Sequence, residues 1–188
     1  MESEPRMLGQ RPSVAKVLVA GGPGVGKTCF LRAACHGQAV LAGRPGSVWE
    51  IGFATLPGGI TVALRTTPDQ RRWWWMWNHL AVGARGAVVL VDTSRLAMSY
   101  PVLDYLDACR LPYLVAINRP LGGARNRHEI RDALRVTAQV PVLTCDATEP
   151  ESVLAVLRHL VTPEPTDHPP QHRPLSLPGQ RSKGPLIP

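Results

Sequence analysis

The run Gly21-Gly22-Pro23-Gly24-Val25-Gly26-Lys27-Thr28 fits the spacing G-x-x-x-x-G-K-[ST] without a gap. Each residue type in it has a physical use against a phosphate chain. Small residues let successive backbone N–H groups curl around the oxygens. A helix opening at Lys27 adds the partial positive charge of its amino terminus. The Lys27 ammonium reaches terminal phosphates, and the Thr28 hydroxyl is of the type that ligates Mg²⁺. The run therefore points to phosphate binding. Hydrolysis needs more: an oriented water and further cations.

The flanking elements are those the chemistry requires. Residues 14–20 (VAKVLVA) read as a short apolar strand entering the glycine run, and a helical pattern follows from Lys27 to about His36. Residues 37–48 are rich in Gly, Ala and Pro and read as a loop. Trp49 to Leu56 and Ile60 to Leu64 read as a hairpin about Pro57-Gly58-Gly59. A helix is expected from Asp69 to about Val82, then a nearly continuous apolar strand from Ala87 to Asp92. Helices over 98–110, 127–136 and 149–160 alternate with strands over 113–117 and 140–143. This alternation predicts an α/β domain of three layers.

With these residues in place the chain resembles the Ras-like small GTPases, and more narrowly the conservon-type ATP/GTP-binding proteins of actinomycetes and the bacterial gliding-motility GTPases. The resemblance runs over residues 14–161. It is carried by the glycine run, Thr67-Pro68-Asp69-Gln70, Trp73-Trp74-Trp75-Met76-Trp77, Gly86 to Thr93, Leu111 to Asn118, and Pro141 to Ala147. It implies a P-loop fold with a mainly parallel six-stranded sheet containing one antiparallel strand. It also implies GTP or GDP with Mg²⁺ as ligands, a signalling role with slow hydrolysis, and partners resembling a roadblock-type protein and a membrane sensor-kinase-like protein. On this reading residues 21–28 and Cys29 hold the phosphates, with Lys27 also acting in catalysis. Asn118, Arg119, Cys145, Asp146 and Ala147 surround the base, and Thr28 with Ser47 holds the metal. Gln70 either orients the attacking water or is a solvent-facing residue at a helix start.

Several positions depart from the pattern. Thr66, Asp69 and Gln70 stand where Ras-like proteins carry Asp-x-x-Gly-Gln, although conservon-type proteins often lack the first Asp. Asp69 replaces a glycine whose missing side chain allows close approach to phosphate, and at a helix start it serves equally as a cap. Leu121 stands where an Asp normally accepts two hydrogen bonds from guanine, so ATP remains open as a ligand. The alternative function is thus a nucleotide-binding or pseudo-GTPase interaction module with weak base selectivity and little or no hydrolysis. Arg71 and Arg72 flank the same segment and either reach the γ-phosphate or face the surface or a partner, and Asp92 reads as structural or capping. Trp74 and Trp75 fall off the helix face shared by Trp73, Trp77 and Leu80, so they either pack under neighbouring loops or anchor a partner.

Composition bounds the rest. The 188 residues carry a formal charge of +7, with 44% hydrophobic and 19% charged residues, enough for one folded domain. No basic helix or aromatic-basic ladder suggests nucleic-acid binding. No apolar run reaches the length of a membrane span, no signal-like segment opens the chain, and the four cysteines form no CxxC pair, so a cytoplasmic protein is expected. Residues 1–13 read as a flexible extension, 14–161 as the domain, and 162–188 as a Pro-rich tail expected to be disordered.

Overall fold

The computed structural model describes residues 14–44, 47–68, 74–119 and 126–161. Its elements in chain order are β1 (Ala15–Gly21), α1 (Lys27–Ala34), β2 (Val40–Arg44), β3 (Ser47–Leu56), β4 (Ile60–Thr66), α2 (Trp74–Ala81), β5 (Ala84–Val91), α3 (Tyr100–Ala108), β6 (Tyr113–Arg119), α4 (Arg127–Leu134), β7 (Val142–Asp146) and α5 (Pro150–Val161).

The strands form one sheet in the order β2-β3-β4-β1-β5-β6-β7. β1 lies between β4 and β5, parallel to both, and β5, β6 and β7 continue in parallel. β3 pairs antiparallel with both β2 and β4, so it alone runs against the other strands. The expected antiparallel hairpin is present, but the sheet has seven strands where six were expected. The extra one is β2, drawn from the 37–48 segment read as a loop. Its Val40 and Leu41 are exposed at the sheet edge, so the alternation that marks a half-buried strand is missing.

Side chains along each central strand alternate between two cores. Val17 and Val19 of β1, with Val88 and Leu90 of β5, pack under Phe30 and Leu31 of α1 and Val153, Val156 and Leu157 of α5. Leu18 and Ala20, with Val89 and Val91, pack on the opposite face under Trp77 and Leu80 of α2, Leu103 and Leu106 of α3, and Ile130 and Leu134 of α4. Both faces of β1 and β5 are covered, which is why these strands read as unbroken apolar runs. The arrangement is the expected three-layer α/β sandwich. Its parallel strands end along one edge, where the segments that follow β1, β5 and β7 lie and where α/β sheets bind ligands.

Trp77 is buried, its ring edge-on to Tyr105 at 5.0 Å between centroids. With Leu80 it faces the core, as helical spacing required. The side chains of Trp74 and Trp75 and the whole of Trp73 lie outside the described residues. Among the described residues no helix is long and apolar enough to cross a membrane.

Candidate phosphate-binding site

β1 delivers the chain into the glycine run, and α1 takes it out. The turn between them needs positive φ at Gly24 (+71°) and Gly26 (+102°), a region that residues with a Cβ enter only under strain. Gly26 is the N-cap of α1. It offers no side-chain cap, and no acidic residue stands in the first helical turn. The first N–H groups of α1 therefore face the loop without a built-in anion. A Cβ at Gly26 would also stand 2.7 Å from Nδ2 of Asn118, so the position demands glycine twice over.

Lys27 is buried, and its Nζ donates to the carbonyls of Gly21 (3.0 Å) and Gly22 (2.9 Å). The ammonium is thereby oriented across the loop. The space beside it stays open: a cleft of about 200 Å³ is lined by Lys27, Thr28, Leu41, Glu50, Thr66 and Thr67 together with Pro68. Thr28 and Cys29, both exposed, follow in the first turn of α1.

The far wall of the cleft comes from β3 and β4. Thr66 is buried, and its Oγ1 accepts a 2.7 Å bond from the backbone N–H of Glu50, so this hydroxyl ties the two strands. Thr67 donates its backbone N–H to Val19 O at 3.0 Å, fixing the end of β4 to β1. Its own Oγ1 is buried and has no partner among the described residues. Glu50 is only 8% exposed, yet its carboxylate has no hydrogen-bond or ion-pair partner among the described residues. Glu50, Thr66 and Thr67 line the same cleft as Lys27 and Thr28, so a carboxylate and hydroxyls, the oxygen types a hard cation takes, stand around it. Glu50 has no place in the sequence reading, and Thr67 enters it only within the Thr67-Pro68-Asp69-Gln70 motif, without a role of its own. A signal existed: Glu50 is in phase with the inward Gly52, Ala54 and Leu56 along β3.

Asn118, at the end of β6, is buried and spans the site. Its Nδ2 donates to Val25 O (2.8 Å), and its Oδ1 accepts from the N–H of Ala147 (3.0 Å). One side chain thus joins the glycine loop to the loop after β7. Within that second loop Asp146 Oδ1 accepts from the backbone N–H (2.9 Å) and hydroxyl (2.6 Å) of Thr148, while the Asp146 N–H donates to Ser152 Oγ at 2.9 Å. Cys145 is buried beneath it. Burial pushes its thiol up to about 11, and the Asp146 charge adds to the rise against a lowering hydrogen bond from Ser152. It is a packed thiol with no nucleophilic character.

The structure therefore brings residues 21–29, Asn118 and residues 145–147 to one edge of the sheet. Ser47 opens β3, but its side chain lies outside the described residues, as does that of Arg119 at the end of β6. Asp69, Gln70, Arg71, Arg72 and Leu121 lie wholly outside them. Asp92 follows β5 and accepts hydrogen bonds from Ser94 and Arg95, the structural use expected of it. Among the described residues no cluster of three or more His, Cys, Asp or Glu side chains could hold a metal by itself.

No family model matches the chain, and no curated protein matches it. Solved structures do. The cytosolic domain of the T. maritima FeoB iron transporter in apo form superposes with a TM-score of 0.64 at 21% identity, covering 79% of this chain and 63% of that one. The GMPPNP form of the same domain gives 0.60 at 22% identity over 78% and 62%. The isolated G domain gives 0.57 at 20% identity, covering 77% of this chain and 99% of that one. The chain thus spans less than two thirds of the cytosolic-domain structures and nearly all of the G domain. At these identities the likeness establishes a fold, that of a small-GTPase-like P-loop domain.

Proposed function

We propose that this chain is a nucleotide-binding switch that takes GTP and GDP with Mg²⁺, hydrolyses GTP slowly, and acts through protein partners. The observation that carries the reading is the open glycine loop, with the Lys27 ammonium drawn across its mouth beside a polar cleft. That solved neighbours of the same fold are described as GDP and GMPPNP forms supports guanine nucleotide as the ligand.

The backbone N–H groups of residues 22–28 would receive the phosphate oxygens, and Lys27 would stabilise charge on the terminal phosphate. Thr28 would hold the metal, with Glu50 and Thr67 on the opposite wall. Ser47 is a further metal candidate by resemblance. Bound Mg²⁺ would neutralise phosphate charge during transfer. Glu50 then supplies the negative charge that Thr66 cannot. Asn118 acts mainly by holding the glycine loop to residues 145–147, and Arg119 would lay its stem along the base. Gln70 is the candidate for orienting water. The conservon-type resemblance proposes a roadblock-like protein and a sensor-kinase-like membrane complex as partners, met through Trp74 or Trp75 by a domain spanning 14–161.

A second reading, a nucleotide-binding module with little hydrolysis, is favoured by one observation. The Thr66 hydroxyl already serves β3 and brings no charge to the cleft. Calorimetry with Mg²⁺ and GTP, GDP or ATP, paired with single-turnover phosphate release, separates the two. Lys27→Ala should weaken GTP binding by about 10- to 100-fold, the worth of one charge-assisted contact. Unchanged GTP binding by that variant would refute the assigned site. Tight binding without phosphate release would select the second reading, and equal affinity for ATP would indicate a base pocket without guanine discrimination.

A further inference from the structure

β5 ends at Val91, and the chain turns at once beside the glycine loop. Asp92 is buried there, and its carboxylate accepts from Ser94 N–H (2.9 Å), Ser94 Oγ (2.6 Å) and Arg95 Nε (2.9 Å). Met98, four residues beyond the Asp92–Ser94 turn, packs straight onto the loop: a Cβ on Gly22 would stand 2.8 Å from the Cβ of Met98. The small crevice between the two segments is lined by Gly22, Pro23, Val25, Asp92, Arg95 and Met98 together with Ser99.

Arg95 occupies the rim of this contact. Its Nη2 lies 3.6 Å from the point where a Cβ on Gly24 would stand, and its side chain is 52% exposed. Nε is committed to Asp92, whereas neither Nη has a partner among the described residues. An ordinary exposed ion pair at this spacing adds little to stability. The placement of this one is unusual: the acid is buried and fixed by Ser94, and the guanidinium edge left over sits against the most open glycine of an anion-binding loop. Charge balance points the same way. A magnesium triphosphate remains anionic after the metal is counted, Lys27 offers a single positive charge, and the buried Glu50 adds a negative one to the same cleft.

We propose that Arg95 is a phosphate-contacting residue: with a nucleoside triphosphate in the loop, its two Nη groups donate to the terminal phosphate while Asp92 holds Nε in place. The inference rests on the nucleotide reading above. It assigns Asp92 as a positioning residue and gives the protein an internal cation, in the chemical role that GTPases otherwise take from an arginine finger. Planar guanidinium geometry matters here, because two parallel N–H donors match two phosphate oxygens and an ammonium cannot.

The test uses the full chain with fluorescent mant-GMPPNP and mant-GDP in Mg²⁺. Arg95→Ala should weaken mant-GMPPNP about tenfold and leave mant-GDP within about twofold, since only the triphosphate presents the contacted group. Arg95→Lys should recover part of the difference, and Asp92→Asn should lose a few-fold of it. Urea unfolding of each variant accompanies the binding. An unchanged ratio of the two affinities in Arg95→Ala overturns the proposal. So does an equal loss of both nucleotides together with a lower unfolding midpoint, which would make Arg95 a prop for the loop. Lys27→Ala separates the two layers of the argument: if wild type binds and Lys27→Ala does not, failure of the Arg95 variants counts against Arg95 alone. If wild type binds neither nucleotide, the nucleotide reading falls and this inference with it.

Discussion

Replacing Asn118 by alanine tests whether the glycine loop is held by the rest of the site. The side chain is buried and makes two hydrogen bonds, to Val25 O and from Ala147 N–H. Truncation leaves one acceptor and one donor without partners, at roughly 1–3 kcal/mol each, so the loss is about 2–6 kcal/mol. With a urea m-value of roughly 2 kcal/mol/M for a domain of this size, the midpoint should fall by about 1–3 M at constant m. Asn118→Asp sharpens the test. It keeps an acceptor for Ala147 but sets an oxygen against Val25 O across about the same 2.8 Å. Protonation converts that oxygen into a donor, so the folded state raises this carboxyl's pKa above the ordinary value of about 3.9. A raised carboxyl pKa means that stability is recovered as pH falls, and the deficit of the Asp variant should shrink from pH 7 to pH 5. A loss below about 1 kcal/mol for Asn118→Ala, or a deficit for Asn118→Asp that does not vary with pH, would refute the wiring argument.

Three other outcomes follow from the same geometry. A Cβ on Gly52 of β3 would overlap Cys35 Sγ at the end of α1, so Gly52→Ala should cost about 1–3 kcal/mol in urea unfolding. Adding Cys35→Ala should recover part of that loss, and strict additivity of the two changes would show that they do not meet. Glu50→Gln should lower the affinity of the nucleotide complex for Mn²⁺, read by electron paramagnetic resonance, while nucleotide binding in EDTA holds or improves; unaltered Mn²⁺ binding would remove Glu50 from the cation's surroundings. For Asp92, burial alone would raise the pKa, but hydrogen bonds from Ser94 and Arg95 and the Arg95 charge hold it below 3.8. Its contribution is therefore present above pH 3.8 and lost as pH falls below it. Asp92→Asn should flatten the acid limb of the stability curve in that window, and a limb of wild-type slope would contradict the assignment.

The sequence exposed the glycine loop and its flanking strand and helix because each rests on short-range spacing. It exposed β5 and β6 because burial on both faces leaves an unbroken apolar run. It concealed β2, whose Val40 and Leu41 point to solvent at an edge and whose neighbours are Gly, Ala and Arg. The pairing that makes β2 a strand is supplied by β3, with Val40 opposite Ile51, and local propensity holds no record of it. Asn118 was marked for the base, yet its visible work is to bridge partners 93 and 29 residues away. Only the sheet order brings those three strand ends together. Glu50 was readable from its inward phase. What the strand pattern could not tell was that its carboxylate would meet a cleft beside Lys27.

These contacts join the glycine loop to several other strand ends along the same edge of the sheet. Thr67 N–H ties the end of β4 to β1, Asn118 ties the glycine loop to β6 and β7, and Met98 against Gly22 seats the segment after β5 on the same loop. Lys27 completes the set by bonding the loop's own carbonyls. Its ammonium is thus already desolvated and aimed, and binding an anion there costs less reorganisation than recruiting a mobile lysine from solvent. The same economy fixes where change can be felt. A ligand that draws Lys27 away from Gly21 and Gly22 loosens the turn that Met98 and Asn118 grip from either side. If the proposed nucleotide binds there, its presence would be felt in the segment after β5, through Met98 and Gly22, and at Asn118. Coupling of that kind requires that the joined segments have two arrangements of similar energy, and the buried Thr67 hydroxyl, without a partner among the described residues, is a group that a rearrangement could satisfy.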